Sequence, residues 1–184
     1  MSIVNDEIKK KFQEAEDLRF KNRFEEAIKI YKELVQKIPD FNPALHNIGV
    51  CYTNLNKINE AEKYYVKCLN FKGIHFQTLN NLAKIYLEQK NYIKAFPLLK
   101  NSLSKAPNQE KVAESMAECM FNLKFIKELD LFCSHALKTY PSNKIFSIFY
   151  GKNLLRSGNH KKGVEVLTKV TGAIEFSEET LKII

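Results

Sequence analysis

The chain has 184 residues, 45% hydrophobic and 27% charged, with 6 Gly and 5 Pro, a composition that excludes a disordered or collagen-like polypeptide. Its formal net charge of +8 is carried almost wholly by lysine, because arginine occurs only as Arg19, Arg23 and Arg156. That weighs against base-specific or bidentate phosphate recognition, which favours the guanidinium fork.

The chain opens Met1-Ser2-Ile3-Val4-Asn5-Asp6-Glu7, acidic where a signal peptide is basic and with no apolar stretch behind it. Nowhere does an apolar run approach the roughly 18 residues of a membrane span. The expectation is a cytoplasmic protein with no membrane partner. Cys51, Cys68, Cys119 and Cys133 form no C-x-x-C pair and have no histidine at zinc spacing, so they read as reduced core residues.

From residue 8 onward a 34-residue period organises the chain. Ala27, Ala61, Ala95, Leu129 and Gly163 recur at that step, as do Pro39, Gly73, Pro107 and Pro141, and the small residues Ala15, Gly49, Ala83, Ala117 and Gly151. The units run approximately 8–41, 42–75, 76–109, 110–143 and 144–171. In the second, Leu45, Ile48, Gly49 and Tyr52 share one helical face, and Ile58, Ala61, Tyr65 and Cys68 share another, so each unit is predicted to be two helices. Between them stand Asn22, Asn56, Lys90, Lys124 and Gly158, where an antiparallel turn calls for a left-handed residue; Gly and Asn accept that conformation and Lys does so at a cost. Each proline ends a second helix by pushing the preceding residue out of the α region. After Thr171 the register breaks at Gly172. Residues 172–184 are expected to form either a short capping helix, N-capped by Ser177 with a Phe176 to Leu181 staple, or the start of a truncated downstream domain.

With these columns in place the chain resembles the tetratricopeptide repeat family. The second unit carries the signature as Leu45, Ile48-Gly49, Tyr52, Ala61, Tyr65, Cys68 and Gly73, and the third as Leu79, Leu82-Ala83, Tyr86, Ala95, Leu99, Ser102 and Pro107. In the first unit Lys11 and Glu14 replace two apolar residues, and Leu129 and Gly163 replace the alanine of the fourth and fifth. The resemblance implies an all-α fold, a right-handed α-solenoid of about five antiparallel helix pairs whose first helices line a concave groove.

Asn47 and Asn81 are one period apart, within His46-Asn47-Ile48-Gly49 and Asn80-Asn81-Leu82-Ala83. These segments resemble the asparagine-bearing repeats of O-GlcNAc transferase-like proteins, which implies that Asn47 and Asn81 hold the backbone of an extended peptide, with His46, Asn80 and Lys84 beside them reading side chains. A primary amide both donates and accepts, so it can pair with any peptide unit; a plain solvated or capping role fits the same two residues. Gln13 could extend the ladder by one step. The carboxylate clamp of other family members does not fit, because the matching sites hold Phe12, Glu16, Asn47, Gln77 and Asn81, so that four of its five polar contacts are missing or changed. No catalytic triad, paired carboxylate, metal cluster or phosphate-cradling glycine loop can be assembled. The predicted function is therefore a non-enzymatic scaffold that binds a protein or peptide, with no cofactor and no nucleic acid, and with self-association through its terminal repeats. The alternative is the substrate-presenting arm of a larger glycosyltransferase, sulfotransferase or oxygenase whose catalytic domain follows residue 184.

Overall fold

The computed structural model describes residues 2–71, 75–172, 174–176 and 181–183. Ten helices run through them: α1 (Ser2–Phe20), α2 (Phe24–Lys37), α3 (Asn42–Asn54), α4 (Ile58–Leu69), α5 (Phe76–Glu88), α6 (Tyr92–Lys105), α7 (Glu110–Asn122), α8 (Ile126–Thr139), α9 (Lys144–Arg156) and α10 (His160–Thr171). The fold class is all-α, of the helical-repeat solenoid kind. The first helix begins at Ser2, earlier than the repeat register starts.

All five turn residues adopt the left-handed conformation, with φ of 58° at Asn22, 57° at Asn56, 55° at Lys90, 60° at Lys124 and 85° at Gly158. The proline column acts as expected: α2, α6 and α8 each stop before a C-cap residue of extended ψ, Ile38, Ala106 and Tyr140, that precedes proline. Pro97, inside α6, removes one donor from the helical ladder and was not marked by the repeat. Asn143 caps α9, its Oδ1 accepting from Ile145 N at 2.9 Å and Phe146 N at 3.2 Å.

The chain divides into two compact units, 1–89 and 90–184, parted at the turn between α5 and α6. In the first, α1 packs on α2, α2 on α3, α3 on α4 and α4 on α5. Its core joins Ala15, Ala27, Tyr31, Leu34, Leu45, Ile48 and Cys51, all fully buried. In the second, α6 packs on α7, α7 on α8 and α9, α8 on α9, and α9 on α10, burying among others Ala117, Leu129, Phe146 and Leu167. The small column permits the close crossings. A Cβ on Gly49 would stand 2.5 Å from a ring carbon of Tyr65, and one on Gly163 would stand 3.0 Å from the carbonyl oxygen of Gly151.

The C-terminal segment corrects one expectation. Gly172, at φ 85°, caps α10, and then β1 (Ile174–Phe176) pairs antiparallel with β2 (Leu181–Ile183), Ile174 opposite Ile183. A helix from Ser177 stapled by Phe176 and Leu181 is not formed at those last two positions; Ser177 itself lies outside the described residues. The physical reason is in the pattern, since Ile-Glu-Phe and Leu-Lys-Ile alternate with a period of two, which suits a strand.

Candidate functional site

The first helices of the amino-terminal unit, α1, α3 and α5, carry the predicted site residues, and the structure distributes them over two neighbouring hollows of that unit. The first, about 330 Å³, is lined by Phe12, Glu16, Pro43, His46, Asn47, His75 and Gln77. The second, about 240 Å³, lies among Val50, Thr53, Asn54, Tyr65, Asn81, Lys84, Ile85 and Glu88. Each hollow therefore receives one asparagine of the 34-residue column.

Asn47 is not a free amide. Its Nδ2 donates to Glu16 Oε1 at 2.7 Å and to the Tyr31 hydroxyl at 3.3 Å, so both donor hydrogens point into the protein and the carbonyl oxygen is the group it can offer. Glu16 is the hub of this network: Oε1 also accepts from Tyr31 Oη at 2.6 Å and Arg19 Nε at 3.0 Å, and Oε2 accepts from Arg19 Nη2 at 3.3 Å. Burial pushes the Glu16 carboxyl up, but the bonds from Arg19 and Tyr31 outweigh it and hold it below 4.5. Burial and the adjacent Glu16 push the Tyr31 phenol up. The hollow thus holds a neutralised ion pair rather than a bare charge.

His46 stands at the same hollow, its Nδ1 2.9 Å from Thr78 Oγ1 and its ring 5.9 Å from that of Tyr65. Burial first, then His75 and Arg19, lower its pKa to about 4, so the imidazole is neutral at neutral pH. In the second hollow Asn81 hydrogen-bonds the Tyr65 side chain. The Tyr65 hydroxyl also lies 3.2 Å from Thr53 Oγ1, which donates to the Gly49 carbonyl at 3.0 Å or shares its proton with the tyrosine. Lys84 is 73% exposed, with Glu88 at 4.0 Å. Asn80, on the same turn of α5, is half-buried and lines neither hollow. Gln13, the proposed extra rung, donates to Asp17 at 3.0 Å on the outward side of α1. Glu16 and Arg19 form a local i,i+3 pair on α1, but their joining to Tyr31 and Asn47 was missed in the sequence, because those partners stand 15 to 31 positions from Glu16 and meet it only through tertiary packing; a carboxylate in the column of Val50 and the i,i+3 arginine beside it were the available signals.

The four cysteines are free thiols and buried; burial pushes Cys51 up to about 11 and Cys119 and Cys133 up to about 12, which suits inert core residues. Among the described residues no group of three or more His, Cys, Asp or Glu side chains is placed to hold a metal ion, and no helix is long and apolar enough to cross a membrane.

Residues 43–74 and 76–106 each match a model of the tetratricopeptide repeat family. The chain is 20% identical over 156 residues to the BBSome complex member BBS4 of Mus musculus, a match covering 85% of this chain and 30% of that one. Over 56 residues it is 43% identical to the protein O-mannosyl-transferase TMTC2 of Mus musculus, covering 29% of this chain and 7% of that one. The chain therefore spans under a third of the length of these curated relatives. Among solved structures, YrrB, described as a TPR protein with an unusual peptide-binding site, superposes with a TM-score of 0.80 at 17% identity, covering 88% of this chain and 84% of its own.

Proposed function

Because this chain is a tetratricopeptide repeat protein, and so built as a protein-interaction scaffold, we propose that its amino-terminal unit binds an extended peptide of a partner protein along α1, α3 and α5. The observation that carries this is the pair of hollows set side by side on the first helices, each holding one residue of the Asn47 and Asn81 column. Asn47 accepts from a peptide N–H through its carbonyl oxygen, Asn81 contacts the backbone at the next hollow, and His46, as a neutral ring, gives the first hollow a face for apolar or amide groups. Lys84 and Asn80, flanking Asn81, add side-chain selectivity. YrrB, whose fold this chain shares, is described by its own peptide-binding site. On this reading the chain performs no chemistry, needs no cofactor, and works in the cytoplasm.

The test is a peptide selected from a random decapeptide library and titrated into wild type and the Asn47→Ala/Asn81→Ala variant. Two or three net hydrogen bonds at roughly 0.5–1.5 kcal/mol each predict a loss of affinity of about fivefold to a thousandfold, with the helical circular dichroism unchanged because Glu16 keeps Arg19 and Tyr31. Equal affinities overturn the assignment of the two asparagines. One observation favours a second reading, a substrate-presenting arm of a larger enzyme: the 43% identity to a stretch of a protein O-mannosyl-transferase. A natural reading frame that continues into a catalytic domain would decide for it.

A further inference from the structure

The outward face of α1 carries three acids, Asp6, Glu14 and Asp17, and three lysines, Lys9, Lys10 and Lys21, all exposed around a shallow hollow of about 650 Å³. Its net charge is zero, on a chain of +8. One period further on, the columns of Lys10, Glu14 and Asp17 hold Ala44, Ile48 and Cys51, each fully buried in the core that α3 shares with α2. By register, then, this face of α1 is the surface on which a repeat stacks, rewritten in charge. Among the described residues none of Asp6, Lys10, Asp17 and Lys21 is held in an ion pair.

We propose that this face docks a second copy of the same chain, the two α1 helices lying antiparallel across a two-fold axis between Gln13 and Glu14. An isologous contact requires that residue i meet j while j meets i. Centred there, Asp6 meets the second copy's Lys21, Lys10 meets its Asp17, and Gln13 meets its Glu14, each twice, while the Lys9 stem covers Leu18. None of these facing pairs is of like charge; the two Glu14 carboxylates flank the axis, where each is met by the second copy's Gln13. Complementary charge selects the partner and its orientation. Exposed pairs contribute little individually and are screened by salt, so the association is weak and strongest at low ionic strength.

Sedimentation equilibrium of the full chain over a wide concentration range at low salt tests this. The mass should rise from 21.4 kDa towards twice that value, and fall back on adding salt. Lys10→Glu sets carboxylates against each other at both symmetric points and should raise the dissociation constant by about tenfold or more. The exchange Lys10→Glu/Asp17→Lys restores every pair and should return it to within about threefold of wild type. Because the four native cysteines are buried, Gln13→Cys, at the axis, should yield a disulfide-linked dimer under mild oxidation. A wild-type chain that stays at 21.4 kDa throughout, a charge exchange that recovers nothing, or a Gln13→Cys variant that does not crosslink would each overturn the proposal.

Discussion

At the scale of single residues, His46 decides the character of the first hollow and leaves a thermodynamic signature. Its folded-state pKa of about 4 lies below the ordinary 6.5, so between those values the unfolded chain binds a proton that the folded chain does not. Stability therefore rises with pH through this window and is lost as pH falls from 6.5 towards 4. Allowing for the partial exposure of the ring, the loss is about 2 kcal/mol. Glu16 is depressed in the same direction, a carboxyl held below 4.5, but its window lies lower: its contribution is fully present above 4.5 and is lost only at lower pH. Thermal unfolding followed from pH 7 to 4.5 should show a decline in wild type that His46→Gln flattens; parallel curves for the two proteins would contradict the neutral, buried imidazole.

At the scale of elements, the turns show what the sequence carried and what it did not. The small, proline and left-handed columns are local demands, set by a Cβ clash, a missing donor or the sign of φ, and the five turn residues meet them as read. Lys90 and Lys124 meet them at a cost, since a residue with a Cβ in the left-handed region is less stable by roughly 1–2 kcal/mol than one in the right-handed region. Lys124→Gly should therefore stabilise the carboxy-terminal unit by about 1 kcal/mol, and Gly158→Lys should destabilise it by a similar amount; calorimetry of the two variants checks both signs. What the columns left unread was non-local. The Glu16 hub depends on α1, α2 and α3 meeting in space, and it turns Asn47 from a two-way amide into an acceptor. The segment after Gly172 lies outside the repeat, so the capping helix, one of the two alternatives for it, rested on capping residues alone, and a period-two pattern prevailed in β1 and β2.

At the scale of the whole chain, the fold class was legible because the repeat states it five times, whereas the partner is written in side chains that only the packed helices bring together. Peptide recognition, as proposed, belongs to the first helices of the amino-terminal unit, with one asparagine serving each hollow. An NMR titration of the full chain with the library-selected decapeptide tests it most directly, because side-chain amide resonances report on Asn47 and Asn81 individually. Shifts are expected in those two amides and in the backbone of α3 and α5, with the outer residues Lys32, Tyr64 and Lys67, around their own hollow on α2 and α4, left unmoved. Shifts confined to those outer residues, with the Asn47 and Asn81 amides unchanged at saturation, would contradict it.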